Sequence, residues 1–289
     1  MRKIGIETSA YFQLSGAWEG FEKMKRHGFA CADYQNLVNT ENALFSASEG
    51  EFERTLTEHR KAAEQAGVEI YQVHGPWRYP PRDAAENERA ERFEKMKKTL
   101  WGTSLLHSRH FVIHPVMPFG PDEEPDSALF YKINHDFFSA LLDEALKYDV
   151  VICLENMPFS AHSIARPAEI LQFIRSFDDS HMAMCLDTGH SAVLGVPPAE
   201  ALREGADLIK TLHVHDNDGR SDFHRAPYDG VIDWAAFSEA LSLLPAEVPL
   251  SLETQAPAKM PSELHDYFQI GLAKIGETLC GRKSNSAAV

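Results

Sequence analysis

Short apolar runs of strand type alternate with longer segments of helical spacing along the whole chain. The runs are Lys3–Glu7, Phe29–Tyr34, Val68–His74, His110–His114, Val150–Glu155, Met182–Asp187, Ile209–His213 and Pro249–Glu253. The amphipathic segments are Trp18–His27, Gly50–Ala66, Ala84–His107, Ser127–Tyr148, Pro167–Phe177, Pro198–Gly205, Trp234–Leu244 and Pro261–Leu279. Runs that stay apolar on both faces suit a parallel sheet covered by helices. Eight strand–helix units without a composition break predict one α/β domain, a (β/α)8 barrel over residues 1–281, with Arg282–Val289 as a frayed tail. A doubly wound open sheet is the alternative. It is disfavoured because Glu7-Thr8-Ser9-Ala10 follows the first strand where a Gly-rich phosphate turn would stand.

At 289 residues the chain can bury one large core, and 44% hydrophobic with 25% charged residues excludes a mainly disordered or fibrous protein. No apolar run reaches membrane-spanning length. The start, MRKIGIETS, lacks the apolar stretch of a secretory signal, so a cytoplasmic location is expected. Cys31, Cys153, Cys185 and Cys280 form no C-x-x-C pair and are expected to be reduced, buried thiols. Lys+Arg 28 against Asp+Glu 43 gives a net charge of −15, which disfavours a bulk nucleic-acid or membrane binder. The charged run Arg82–Lys98 pairs opposite signs at helical spacing and reads as a solvated helix face.

In a (β/α)8 barrel, chemistry gathers where the C-terminal strand ends converge. Strands three to eight end, in order, on His74, His114, Glu155, Asp187, His213 and Glu253, all residue types that bind metal. Adjacent ends are roughly 4.8 Å apart, so neighbouring side chains can share an ion, and Glu155 in the middle can bridge two. Three further candidates lie in loops. In Asp187-Thr188-Gly189-His190, Gly189 is expected to let the chain turn sharply and aim His190 back at the site; Asp222-Phe223-His224 places two ligand types on one side of an extended segment. His215 shares a strand face with His213 and competes with it as the ligand. Imidazole and carboxylate without thiolate suit Zn, Mn, Co or Fe(II). A single strand-end histidine or carboxylate is ordinarily structural, so it is the joint pattern that points to a metal.

His74-Gly75-Pro76, His114-Pro115, Leu154-Glu155-Asn156, Asp187-Thr188-Gly189-His190, His213-Val214-His215-Asp216-Asn217, Asp222-Phe223-His224 and Leu252-Glu253-Thr254 resemble, in order, the xylose isomerase-like TIM-barrel superfamily. That superfamily includes sugar isomerases and epimerases and endonuclease IV. The resemblance implies one divalent metal on Glu155, Asp187, His213 and Glu253, with the two glutamates as an acid/base pair acting through an enediolate. A proton α to a carbonyl leaves readily only when a Lewis acid holds the developing charge. His74, His114, His190, Asp222 and His224 resemble the extra ligands with which endonuclease IV holds three zinc ions. Up to three metals are therefore implied, and His190 joins the two glutamates as a candidate catalytic residue.

The loops favour a small substrate over DNA. Asp122, Glu123, Glu124 and Asp126 follow strand four and would repel phosphates, while Gln35–Ser48 contains no Lys or Arg. Trp77-Arg78-Tyr79 offers stacking for a sugar or a base, and Arg225 and Lys259 complete the candidate substrate contacts with Trp77 and Arg78. The expected function is a divalent-metal-dependent isomerase or epimerase of a small sugar, sugar phosphate or related hydroxy-carbonyl compound. The barrel is also similar to hydroxypyruvate isomerases and 3-dehydroshikimate dehydratases, a resemblance that implies keto-acid chemistry as well. The alternatives are an endonuclease IV-like phosphodiester hydrolase and a non-enzymatic metal binder. The expected partner is a sugar or keto acid, and a homo-oligomer is compatible with this reading.

Overall fold

A computed structural model describes residues 1–78, 83–119, 123–159, 164–257 and 259–281; Tyr79, Arg82, Asp122 and Arg282–Val289 lie outside the described residues. The strands are β1 (Ile4–Glu7), β2 (Cys31–Tyr34), β3 (Glu69–His74), β4 (His110–Ile113), β5 (Val151–Glu155), β6 (Met182–Asp187), β7 (Ile209–His213) and β8 (Leu250–Leu252). They form one parallel sheet in the order β7-β6-β5-β4-β3-β2-β1-β8. The last seam closes just past β7. There the Val214 amide donates to the Ser251 carbonyl at 2.9 Å and the Glu253 amide donates to the Val214 carbonyl at 3.1 Å.

The helices are α1 (Ser9–His27), α2 (Glu49–Ala66), α3 (Glu86–Leu105), α4 (Ser127–Leu146), α5 (Pro167–Arg175), α6 (Thr188–Val193), α7 (Pro198–Gly205), α8 (Trp234–Leu241) and α9 (His265–Leu279). Local chemistry sets several boundaries. Ser48 and Asp126 accept backbone N–H bonds as N-caps of α2 and α4, and Pro167 opens α5 with its φ already helical. Asp126 therefore caps a helix at the edge of the acidic loop. Helix α1 begins at Ser9 rather than Trp18 because Gly16, at φ +68°, kinks it, and the periodic run in the sequence is its second piece.

Side chains alternate along each strand. The outward set, with Ile4, Ile6, Ile152, Leu154 and Leu186, packs against Phe21, Phe52, Phe138, Phe173 and Phe237 of the helices. Each such side chain fully buried contributes about 1.5–3 kcal/mol. The inward files are smaller, and Val112, Val151, Cys153, Ala183 and Cys185 form a separate cluster inside the barrel. One step further along the same files stand His114, Glu155 and Asp187.

The charged run is not uniformly solvated. Glu91–Lys95 and Glu94–Lys97 pair on the surface, but Arg92 is buried, ion-paired to Asp83, and donates to the carbonyl of His114 at 3.0 Å. A guanidinium can enter the interior only with such partners, and those come from the β3 and β4 loops rather than from the helix. Cys31, Cys153 and Cys185 are buried free thiols and Cys280 is half-buried at the end of α9. No described helix is long and apolar enough to cross a membrane.

Candidate metal centre

Every strand brings an acidic residue or histidine to the C-terminal mouth: Glu7, Asp33, His74, His114, Glu155, Asp187, His213 and Glu253. Glu155, on β5, is the hub. Its Oε1 lies 3.1 Å from Nδ1 of His213 and 3.5 Å from Nδ1 of His190; its Oε2 lies 3.0 Å from Nε2 of His114 and 3.5 Å from Nε2 of His74. The ligand atoms of Glu155, Asp187, His213 and Glu253 all fall within 4.8 Å of one another, as do those of His74, His114 and Glu155, and those of His190, His215, Asp222 and His224.

His213 and His215 occupy different groups. Nδ1 of His213 faces Glu155 and, at 3.3 Å, Glu253 Oε2. His215 turns toward Asp187 Oδ2 at 3.0 Å and stacks on His224 with ring centroids 4.1 Å apart. Both adjoin Asp187, but only His213 also meets Glu155 and Glu253, so the pair divides between the adjoining groups.

Asp187 caps α6 by accepting from the His190 amide at 2.6 Å, and the helix starts directly at the strand end. Gly189 therefore sits inside a helix and does not form the expected sharp turn. It must be glycine because a Cβ there would collide with the His215 ring. Gly189→Ala is expected to destabilise the protein by about 1–3 kcal/mol, as overpacking does, read as a lowered denaturation midpoint. His224 is at φ +47°, so Asp222 and His224 converge through a left-handed turn rather than an extended segment. Their Oδ2 and Nε2 atoms are 3.1 Å apart.

The backbone sets three tautomers. Nδ1 of His74, His190 and His224 lies 2.9, 2.8 and 3.0 Å from the carbonyls of Gly75, Asn156 and Glu253. A carbonyl only accepts, so each neutral ring carries its proton on Nδ1 and turns the Nε2 lone pair toward the carboxylate oxygens, two acceptors that only a cation or an added proton can join. Asn156 also clamps Asp187, accepting its N–H at 2.8 Å and donating to its carbonyl at 3.0 Å. Both ring nitrogens of His213 are buried without a hydrogen-bond partner among the described residues, and it is Nδ1 that faces Glu155 and Glu253. This donor set fits a divalent ion.

Without an ion, imidazolium balances the carboxylates. Burial opposes charge on His190 and His224, but Asp187 and Asp222 around the first, and Glu253 and Asp222 around the second, lift both to about 10. Burial, only partly opposed by Glu155, depresses His114 to about 4. Glu155 is held well below the usual carboxylate range because the charges of His213 and His114 outweigh its burial.

Several of these groups line a cavity of about 450 Å³ whose wall also includes Val38, Trp77, Met157, Pro158 and Phe159. Of the candidate substrate contacts, Trp77 is on this wall. Arg78 lines a neighbouring crevice with Asp83 and Glu91. Arg225 lies over the Phe223 ring, and exposed Lys259 stands off the cavity wall. Glu7, Asp33 and Gln35 were not singled out by sequence reasoning. The strand-end rule extended to the first two strands finds Glu7 and Asp33; Gln35 carries no such signal.

A family model for xylose isomerase-like TIM barrels matches residues 21–271. The chain belongs to that family. An uncharacterized protein of Methanocaldococcus jannaschii is 28% identical over 286 residues, 95% of this chain and 92% of the relative. Among solved structures, D-psicose 3-epimerase in the presence of D-fructose is similar at a TM-score of 0.77 and 17% identity, covering 96% of this chain and 99% of that one. The IOLI protein with a bound zinc atom is similar at a TM-score of 0.75 and 17% identity, covering 98% and 99%.

Proposed function

We propose that this protein is a divalent-metal-dependent isomerase or epimerase of a small sugar, sugar phosphate or related hydroxy-carbonyl compound, acting through an enediolate. The observation that carries this is the convergence of Glu155, Asp187, His213 and Glu253 within 4.8 Å of one another, two of which, Glu155 and Glu253, line a cavity together with Trp77, Met157 and Phe159. The fold shared with sugar epimerases and with a zinc-bound protein agrees with it.

A bound divalent ion would supply Lewis acidity to the carbonyl and adjacent hydroxyl oxygens of the substrate. The chain's own part is proton transfer and orientation. Glu155 and Glu253, both beside His213, are the groups assigned to remove and return the proton. Trp77 and Phe159 would pack on the C–H face of the substrate and exclude water. Zn, Mn and Co all suit the donors.

The test is solvent exchange. Metal-loaded protein incubated with ketoses and keto acids in D2O is expected to place deuterium on the carbon beside the carbonyl, visible by NMR. Absence of exchange across the panel rejects enediolate chemistry. A second reading, phosphodiester hydrolysis, is favoured by the flanking groups His74/His114 and His190/Asp222/His224, whose donor atoms could hold two further ions. Nicking of an abasic-site duplex by the metal-loaded protein would establish it; no nicking at high enzyme excess removes it.

A further inference from the structure

Three of the candidate ligand histidines are oriented by backbone carbonyls, and His213 is oriented differently. Its Nε2 lies 2.9 Å from Oδ2 of Asp33, near the end of β2, in a charge contact off the line of a hydrogen bond, and both side chains are completely buried. We propose that Asp33 is a positioning residue for the metal: its buried negative charge favours the His213 proton on Nε2 and so leaves the Nδ1 lone pair to the centre. This rests on the metal-dependent reading above and names a residue outside the ligand set.

The geometry fits that role. Nδ1 of His213 faces Glu155 and Glu253, two of the candidate ligands, whereas Nε2 faces Asp33. Asp33 is held in turn by Gln35, whose Nε2 donates to Asp33 Oδ2 at 3.2 Å and to Glu253 Oε1 at 2.8 Å. Gln35 is fixed by its amide donating to the Thr8 hydroxyl at 2.9 Å and by the Ser9 hydroxyl donating to its Oε1 at 3.0 Å. One chain of contacts from the β1 and β2 ends thus sets the ligand atoms of β7 and β8 across the barrel. The other oxygen, Asp33 Oδ1, has no hydrogen-bond partner among the described residues. Burying a carboxylate so incompletely satisfied is costly, and its effect on the metal ligand gives it a use. A carboxylate makes an imidazole a stronger donor than a carbonyl does, and loss of such an outer partner typically weakens metal binding about 10–100-fold.

The experiment compares Zn2+ binding by the parent and by Asp33→Asn, using competition with a chromophoric chelator, alongside the melting temperature of each metal-free protein. Asparagine keeps the shape and removes the charge. The expected result is a Kd raised about 10–100-fold, a changed Co2+ absorption spectrum, and a metal-free melting temperature within about 3 °C of the parent. A Kd within about threefold of the parent, against that expectation, overturns the proposal. So does a metal-free Asp33→Asn protein that melts far lower or fails to fold, since Asp33 would then serve the fold. Unaffected binding by Asp33→Asn beside a tightly binding parent rejects the role of Asp33 alone. A parent that binds no Zn2+ rejects the metal-dependent reading and this inference together.

Discussion

Glu155→Gln is expected to remove the metal and the activity together. The substitution keeps the shape of the side chain and deletes its charge, and it puts an amide where four histidines now face a carboxylate at 3.0 to 3.5 Å. Glu155 belongs both to the group with His74 and His114 and to the group with Asp187, His213 and Glu253. Turnover should fall by at least about 10²–10⁴-fold, the contribution of a positioned acid or base, with loss of the ion adding to it. Metal content by mass spectrometry should fall in parallel. Glu253→Gln separates the two effects. Its side chain stands at the rim, 13% exposed against 1% for Glu155. It should lower turnover comparably while keeping more of the metal. Full activity in either variant rejects the acid/base assignment.

Removing the ion from the parent protein with a chelator is expected to lower its melting temperature substantially. An ion held at a concentration of 1,000 Kd stabilises the folded state by about 4 kcal/mol, which for a chain of this size corresponds to roughly 10 °C. The loss should grow with pH. His190 and His224 are raised from 6.5 to about 10 in the folded, metal-free protein. The stability they lend is fully present below pH 6.5 and is lost as pH rises through 10. At low pH imidazolium balances the buried carboxylates; at high pH only the ion can. Differential scanning calorimetry of loaded and chelated protein between pH 6.5 and 9.5 measures the gap. A gap that stays constant or narrows with rising pH contradicts this account of the charge balance.

The barrel is legible in the sequence because its signals are local. A parallel strand buried on both faces is a short apolar run, and a surface helix repeats its apolar face every three or four residues. Within each strand the side chain at the mouth follows from alternation, which is enough to put His114, Glu155 and Asp187 there from the sequence alone. Local signal fails for short or interrupted elements. Helix α6 is too brief for periodicity and is started by the Asp187 cap, and α1 changes direction at Gly16. Arg92 reads as solvated because its helical neighbours are charged, yet its partners lie in the loops after β3 and β4.

The sequence by itself determined eight strand–helix units and the acidic or histidine residues at their ends, since both depend on periodicities of two and 3.6 along the chain. Only the tertiary structure decided how those ends are shared. Closing β7 onto β8 separates His213 from His215, strand twist and register bring Asp33 beside a histidine 180 positions away, and a left-handed turn delivers His224. Such pairings join residues far apart in the chain, and only the packed barrel brings them within bonding distance.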